Sequence, residues 1–235
     1  MILGFLSDAH GNDAGLDRCV EALRRANASE LYFLGDAVGY MPNGDRVLSR
    51  LRDIGAHCIR GNHEEMLLGN ISLTPSQDSV YRLELARSRL RPDWIEWIQQ
   101  WPIERTVAVE GASLLLVHGS PSDPLTGYVY PDTDLSPFDG LPHDVVMIGH
   151  THRPFVRRAG RTTIVNVGSC GLPRDIGNLA SCATYDTEQS TADIVRVEFD
   201  ALSLIAEFGD RIDTSVVACL QRTGTERAVG QRIDA

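Results

Sequence analysis

The chain has no lysine, few aromatic residues and no closely spaced cysteines. All 22 basic residues are arginine, which excludes a Schiff-base mechanism or a lysine nucleophile. The five cysteines are odd in number and scattered, and they form no CxxC pair of the kind found in zinc or redox sites. We therefore expect free thiols in a reducing compartment.

Long apolar runs and a surplus of positive charge are also missing. The run at Ile2–Leu6 is too short for a signal peptide or a membrane span, so we expect a cytoplasmic protein without membrane contacts. A net charge of −10 argues against nucleic acid or an anionic membrane as the main partner. The length of 235 residues predicts a single domain over 1–235, with catalytic motifs in 7–152 and C-terminal strands and helices in 154–222.

The first third of the chain alternates short apolar runs with helical patterns. We predict strands at Ile2–Leu6, Leu31–Leu34 and His57–Arg60, and helices over 13–27, over 45–53 and from residue 62. This βαβαβα order predicts a largely parallel sheet covered by helices.

The rest of the chain changes pattern. Helices are predicted over 74–90, from Pro92 and over 200–222, and strands over 103–109, 113–117, 145–148, 155–157, 162–167, 180–186 and 192–199. The long loop 119–142 is expected to be functional or mobile, and the polar last dozen residues to be frayed. The pattern indicates two sheets with helices outside.

The strand Leu31–Leu34 runs straight into Gly35 and Asp36. In open α/β sheets, ligands bind in the crevice beyond the carboxyl ends of the strands. We therefore expect Asp36 to stand at the mouth of that crevice and to bridge two metal ions.

Five of the seven histidines follow predicted strands in glycine-rich loops: His10, His63, His118, His150 and His152. Asp8 lies two residues before His10, and in an extended backbone two side chains at this spacing point to the same face. Each motif alone is weak, but five in succession predict a metal site. Mixed Asp, Asn and His ligands suit Mn, Fe, Co, Ni or Zn. We assign no role to His57 or His143.

These motifs resemble the signature blocks of the calcineurin-like metallophosphoesterases. The blocks are Asp8-Ala9-His10-Gly11-Asn12, Gly35-Asp36, Gly61-Asn62-His63-Glu64, His118-Gly119 and Gly149-His150-Thr151-His152. The later segments 166–169 and 171–175 resemble the small prokaryotic phosphodiesterase branch. The resemblance implies an α/β (α+β) fold, a four-layer αββα sandwich of two mixed sheets with flanking helices.

The resemblance also implies roles for the motif residues. One ion would be held by Asp8, His10, Asp36 and His152, and the other by Asn62, His118 and His150, with Asp36 bridging. Two ions about 3.5–4 Å apart generate a bridging hydroxide that attacks phosphorus in line with the leaving oxygen. His63 would be the catalytic residue, as a proton donor to the leaving group or a hydrogen-bond partner of the phosphate. Manganese is the metal we expect first, with Fe, Ni, Co or Zn as alternatives.

Two departures from the family pattern bear on the substrate. Ser7 stands where glycine is usual, a small change that should leave Asp8 in place. Gly39 and Tyr40 stand where the protein-phosphatase branch has an Asp-Arg pair that grips phosphate. Arg174 and Tyr40 are our candidates for substrate binding instead, because a guanidinium can bind a phosphate through two hydrogen bonds.

The sequence thus predicts a metal-dependent phosphodiesterase or phosphatase acting on a small phosphorylated substrate. Alternatives within the family are a nucleotide-polyphosphate hydrolase and a protein phosphatase. A non-catalytic metal-binding scaffold should show eroded ligands, and none is eroded here. A dinucleotide-binding oxidoreductase is disfavoured because no GxGxxG motif follows the first strand.

Overall fold

The computed structural model describes residues 1–224 and the backbone of 231–233. The elements in chain order are β1 Ile2–Leu6, α1 Asp13–Arg25, β2 Glu30–Phe33, α2 Gly44–Asp53, β3 His57–Cys58, α3 Asn62–Leu68, α4 Pro75–Tyr81, α5 Leu83–Arg89, α6 Pro92–Gln99, β4 Glu104–Val109, β5 Ala112–Val117, β6 Val145–Ile148, β7 Phe155–Ala159, β8 Thr162–Asn166, β9 Leu179–Asp186, β10 Thr191–Glu198, α7 Ala201–Phe208, α8 Thr214–Leu220 and β11 Gln231–Ile233. Short 3₁₀ helices cover Ser136–Phe138 and Gly209–Arg211.

The strands form two mixed sheets. The first has the order β11-β10-β9-β1-β2-β3, and β1, β2 and β3 are parallel, as the βαβαβα order predicts. The second has the order β4-β5-β6-β8-β7, in which β5, β6 and β8 are parallel. The predicted α/β sandwich with two mixed sheets and flanking helices is confirmed.

Three apolar cores separate the layers. Between the sheets, Phe5 and Leu34 of the first pack with Leu116 and Met147 of the second. The outer face of the first sheet is covered by helices, and Trp94 is fully buried there. The outer face of the second sheet is covered by the long segment 119–142, whose Phe138 and Val129 are buried against it. That loop therefore has a structural role as the outermost layer.

Several element boundaries differ from the sequence-based prediction. The single helix predicted over 74–90 is two helices, because Arg82 takes a left-handed conformation with φ 58°. The helix predicted over 200–222 is also interrupted, at Gly209 with φ 54°. β3 has only two residues.

The predicted frayed end is wrong for 231–233, since this short strand pairs in parallel with β10. The rest of that prediction, at 225–230 and 234–235, lies outside the described residues. In the part of the chain that is described, no helix is long and apolar enough to cross a membrane.

Candidate metal centre

The structure brings all seven predicted ligands together at the carboxyl edge of the two sheets. We call these seven residues the metal cluster: Asp8 and His10 after β1, Asp36 after β2, Asn62 at the start of α3, His118 after β5, and His150 and His152 after β6. Each is at most 7% exposed. Such burial of ionisable groups is costly unless they are paired or bind a metal.

The two carboxylates are held in the same way. Asp8 Oδ2 accepts the backbone N–H of His150 at 3.0 Å, and Asp36 Oδ1 accepts that of His63 at 2.9 Å. The second oxygen of each carboxylate faces imidazole nitrogens instead. Each aspartate is therefore oriented through one oxygen and presents the other to the cluster.

The first subgroup gathers around Asp8. Its Oδ1 lies 3.2 Å from Nε2 of His152 and 3.6 Å from Nε2 of His10, and these two nitrogens are 3.1 Å apart. Ligand atoms of all three residues lie within 4.8 Å of one another, close enough to hold one ion.

The second subgroup gathers around His118. Its Nε2 lies 3.0 Å from Asn62 Oδ1, 3.1 Å from His150 Nδ1 and 3.4 Å from Asp36 Oδ2. Asp36 Oδ2 also lies 3.8 Å from Nε2 of His10 in the first subgroup. Asp36 Oδ2 therefore faces both subgroups, and it is closer to His118 than Asp8 Oδ1 is, which lies 3.9 Å from His118 Nε2.

Backbone carbonyls select the imidazole tautomers. Nδ1 of His10 faces Val38 O at 3.4 Å, Nδ1 of His118 faces Leu34 O at 2.8 Å and Nδ1 of His152 faces Leu172 O at 2.5 Å. A carbonyl only accepts, so each Nδ1 carries a proton, and each ring in its neutral form presents an Nε2 lone pair. In this tautomer the Nε2 lone pairs of His10 and His152 face each other at 3.1 Å, an arrangement that a shared proton or metal ion stabilises.

The electrostatics of the cluster indicate the same need. Burial acts to raise the pKa of both carboxyl groups, but the charges of His152 and His118 on Asp8, and of His118 and His63 on Asp36, hold both below their ordinary values. Burial acts to lower the pKa of His118, yet Asp36 and Asp8 raise it to about 10. Two buried carboxylates therefore demand positive charge, which either a proton or a metal ion can supply.

The residues present fit divalent metal ions. Asp8 Oδ1 and His150 Nε2 are buried without a hydrogen-bond partner among the described residues, which is rare for polar atoms unless they serve as ligands. Carboxylate, amide and imidazole donors suit first-row divalent ions. The assignment of individual residues to individual ions stays a prediction.

His63 lies beside the cluster, where the sequence predicts the catalytic residue. Its Nδ1 faces Val38 O at 3.0 Å, and its Nε2 lies 4.0 Å from Asp36 Oδ2. Burial lowers the pKa of His63 to about 4, although the Asp36 charge opposes this. Its ligand atom also falls within range of those of His10 and Asp36.

The cluster backbone is unusual. Five cluster residues have left-handed φ between 48° and 65°: Asp8, His10, Asp36, His150 and His152. Non-glycine residues rarely adopt this conformation, and it concentrates at functional sites. Gly39, with φ 91°, makes room for His63, because a Cβ there would lie 2.4 Å from His63 Nδ1. The left-handed backbone of the five cluster residues and the close packing of Gly39 against His63 together direct these side chains into the site.

Glu64 is a residue of the site that the sequence analysis did not single out. Its fully buried carboxylate accepts the backbone N–H groups of Asp36 at 2.7 Å, Ala37 at 2.8 Å and Gly61 at 2.9 Å. It therefore fixes the Asp36 loop against the start of α3. The available signal was the Gly61-Asn62-His63-Glu64 block itself, which predicts a helix from residue 62 but not this role of Glu64.

The mouth of the cluster is lined by Tyr40, Tyr81, Tyr128 and Arg174, which we call the rim. Both predicted substrate-binding residues are thus at the site, and Arg174 Nη2 lies 3.3 Å from Tyr40 Oη. Tyr40 stacks on His63 with ring centroids 5.0 Å apart, and Tyr81 lies 4.7 Å from His63. Tyr81 and Tyr128 were missed, since they come from the end of α4 and from segment 119–142 without any motif.

Comparisons with known proteins agree with this site. Residues 1–190 match the sequence model of the calcineurin-like phosphoesterase superfamily domain. The chain is 26% identical over 200 residues to the phosphodiesterase YfcE of Escherichia coli, covering 80% of this chain and 89% of that protein. It is 32% identical over 124 residues to a symmetrical bis(5'-nucleosyl)-tetraphosphatase of Acidovorax, covering 50% of this chain and 43% of that protein.

A solved structure, that of a hypothetical protein from Pyrococcus horikoshii, shows the same fold. The TM-score is 0.84 at 18% identity, covering 96% of this chain and 99% of that chain. The family match includes every residue of the metal cluster. The chain therefore belongs to the calcineurin-like phosphoesterase superfamily, a family of phosphoric ester hydrolases.

Proposed function

We propose that this protein hydrolyses a phosphodiester or phosphomonoester of a small substrate with two divalent metal ions. The observation that carries the proposal is the convergence of two carboxylates and four imidazoles with Asp36 Oδ2 facing both subgroups. Asp8, His10, Asp36 and His152 would hold one ion, and Asn62, His118, His150 and Asp36 the other. We expect manganese first, with Fe, Ni, Co or Zn as alternatives.

When bound, such ions activate a water molecule as an in-line nucleophile and neutralise charge on the phosphoryl oxygens. The protein contributes fixed geometry, because backbone N–H groups and carbonyls hold both carboxylates and three of the imidazoles. Fixed ligands need no reorganisation during the reaction.

His63 is proposed to act on the leaving group. Its Nδ1 is engaged with Val38 O, so a proton held at Nε2 is the one available to the reacting phosphate. An anionic phosphate close by favours the protonated ring. His63 would then protonate the leaving oxygen or hydrogen-bond a phosphoryl oxygen, while Arg174 and Tyr40 bind the phosphate from the rim.

The direct test is hydrolysis of bis-p-nitrophenyl phosphate and p-nitrophenyl phosphate after loading with Mn²⁺, Ni²⁺ or Co²⁺. We expect metal-dependent turnover of at least one substrate, lost with a chelator and restored by metal. Folded protein that binds metal but turns over neither substrate with any of the three ions would overturn the proposal in favour of a scaffold.

A nucleotide-polyphosphate hydrolase is the second candidate. It is supported by the likeness to the Acidovorax tetraphosphatase and by two exposed tyrosines near the mouth. Tyr128 and Tyr130 are 55% and 39% exposed, their rings are stacked at 5.8 Å, and Tyr128 lies 4.2 Å from His150. Exposed aromatic faces can stack on a nucleobase. Hydrolysis of diadenosine tetraphosphate tests this candidate.

We also propose that the chain acts as one domain in the cytoplasm. β1 pairs with β9 from the C-terminal part, so the motif region and the later strands share one sheet. All five cysteines are free thiols, four of them buried, which suits a reducing compartment.

A further inference from the structure

A single segment of the chain contacts both the metal cluster and the rim. It covers residues 169–176, between β8 and β9, and we call it the support segment. Ser169 Oγ donates to the carbonyl of Asp8 at 2.7 Å and accepts the backbone N–H of Leu172 at 2.7 Å. The backbone N–H of Gly171 also donates to the carbonyl of Asp8, at 3.1 Å. The first half of the support segment is therefore fixed to the loop that carries Asp8.

The second half of the support segment faces both the cluster and the rim. The carbonyl of Leu172 accepts the Nδ1 proton of His152 at 2.5 Å, and the backbone N–H of Arg174 faces the carbonyl of His152 at 3.3 Å. The Arg174 side chain then reaches the mouth of the cluster, where its Nη2 donates to Tyr40 Oη at 3.3 Å. A shift of this half would therefore move the Arg174 guanidinium relative to the cluster.

A buried ion pair holds this second half. Arg196 lies on β10, is fully buried, and donates from Nη1 and Nη2 to the two carboxylate oxygens of Asp175 at 2.5 and 2.8 Å. Its Nη2 also donates to the carbonyl of Leu179, the first residue of β9, at 2.8 Å. Asp175 Oδ1 in addition accepts the backbone N–H of Ile176 at 2.8 Å. The pair thus joins the residue after Arg174 to two neighbouring strands of the first sheet.

The main contribution of this pair is its geometry. Burial of two charges costs free energy that their attraction only roughly offsets, so a buried pair is weak evidence for stability. Two parallel hydrogen bonds between a guanidinium and a carboxylate, however, fix both distance and orientation. The carbonyl of Arg174 has a further contact, from Nη1 of Arg222 at 2.7 Å, but Arg222 is exposed and competes with water. We therefore expect the buried pair to constrain the backbone at Arg174 more strongly than Arg222 does.

We propose that Asp175 and Arg196 are positioning residues for substrate binding, because their ion pair holds the Arg174 guanidinium toward the reacting phosphate. This inference rests on the proposed function, in which Arg174 binds that phosphate. Neither Asp175 nor Arg196 belongs to the described lining of the mouth, so the pair acts through Arg174. The hydrogen bonds of Ser169 hold the first half of the support segment independently, so loss of the pair should raise KM and leave kcat nearly unchanged.

The first test is a double-mutant cycle between the pair and Arg174. The pair variant Asp175→Asn/Arg196→Gln removes both charges, so that no unpaired charge stays buried. We expect it to raise KM for p-nitrophenyl phosphate about tenfold, with a fall in kcat of less than about threefold. In the Arg174→Gln background the same change should raise KM less than about twofold, because coupled residues do not have additive effects. Binding of inorganic phosphate to the metal-loaded protein, measured by calorimetry, should follow the same pattern without turnover.

Two further variants separate positioning from a loss of stability. Leu48→Ala truncates a fully buried residue of α2 and destabilises the fold, but it should leave KM unchanged below its unfolding midpoint. Arg196→Lys keeps a positive charge beside Asp175 but cannot form the two parallel hydrogen bonds, so it should raise KM as well. This lysine variant replaces the pair variant in the cycle if the pair variant does not fold.

The second test needs neither metal nor turnover. The Nε–H group of Arg174 is observed by ¹⁵N relaxation in the metal-free chain and is identified by its loss in Arg174→Gln. We expect an order parameter of about 0.85 in the wild type and below about 0.6 in the pair variant. The Nε–H group of Arg50, which lies 2.6 Å from Asp17 between α1 and α2, is the internal reference and should not change.

An equal rise in KM with and without Arg174 would overturn the proposal, as would an unchanged order parameter of Arg174 in the pair variant. A large fall in kcat with unchanged KM would also overturn it, since the pair would then act on the metal cluster. Failure of the proposed function is distinguishable, because the wild type would then hydrolyse no substrate. In that case the order parameter alone decides whether the pair holds Arg174.

Discussion

The metal cluster and the rim differ in how the chain positions their side chains. Cluster residues follow strand ends within a few positions, are at most 7% exposed and are held by backbone hydrogen bonds. Rim residues come from a helix end and three loops, and their exposure ranges from 7% at Tyr40 to 55% at Tyr128. Parts with more solvent contact open more readily. We infer that the cluster determines which reaction is catalysed and that the rim determines which substrates bind.

Removal of the bridging carboxylate should give the largest effect. We expect Asp36→Asn to lose at least about 10³-fold in turnover, because Asp36 Oδ2 faces both subgroups and an amide in its place carries no negative charge. Metal content and hydrolysis of bis-p-nitrophenyl phosphate are measured together. Asp53→Asn, an exposed carboxylate at the end of α2, is the control. A variant with full metal content and activity within tenfold of wild type would contradict the bridging role.

The motif blocks made the cluster predictable because strand ends constrain the backbone. Asp36 follows a recognisable apolar strand, and parallel neighbours bring their carboxyl ends to one edge. The placement of β1 was likewise evident from Ile2–Leu6. The sequence therefore contained enough local signal for the central strands of both sheets and for the cluster, though not for the edge strand β11.

The rim and the covering of the second sheet had no comparable signal. Tyr81 reaches the site because Arg82 ends α4 in a left-handed conformation, which a helical pattern over 74–90 does not reveal. Tyr128 arrives on an irregular segment whose course depends on burial of Phe138 and Val129. Long-range packing decides these positions, and a single sequence does not encode it in a local pattern.

Metal removal should lower the stability of the protein through the metal cluster and not through the rim. Ions at about a thousand times their dissociation constant stabilise the folded chain by about 4 kcal/mol, so a chelator should lower the unfolding midpoint by roughly 10 °C. The variant Tyr128→Ala should show the same difference in unfolding midpoint between metal-loaded and chelated protein. Tyr128 only contacts His150 at the mouth of the cluster and is not one of the seven proposed ligands. Equal midpoints with and without metal would contradict a cluster built around ions. Calorimetry with metal-loaded and chelated protein provides the measurement.

His63 lies between the metal cluster and the rim, and its substitution tests whether it is a catalytic residue or a metal ligand. We expect His63→Gln to keep its metal content and lose about 10²–10⁴-fold in turnover, as for loss of general acid catalysis. The loss should be larger for phenyl phosphate than for p-nitrophenyl phosphate, because the poorer leaving group needs the proton more. A uniform loss with reduced metal content would instead make His63 a ligand, as its distance to His10 and Asp36 allows.

Substitution of Glu64 tests whether metal binding depends on the hydrogen bonds that hold the Asp36 loop against α3. We expect Glu64→Gln to weaken metal binding about 10–100-fold, because an amide cannot accept all three N–H groups that the carboxylate accepts. Saturating metal should restore most of the turnover, in contrast to Asp36→Asn. Metal titrations followed by activity make the measurement. Unchanged metal affinity would show that the Asp36 loop holds its shape alone.

The smallest effect is expected at the exposed side of the rim. Tyr128→Ala should raise KM for aromatic phosphate esters about threefold to tenfold, because a stacked ring contributes roughly 1 kcal/mol, and kcat should fall less. Tyr128→Phe retains the ring and should recover most of the affinity, which separates stacking from the hydroxyl. A large fall in kcat with unchanged KM would place Tyr128 with the cluster rather than the rim. In that case Tyr128 would affect kcat through its 4.2 Å contact with His150, by positioning this imidazole toward the metal.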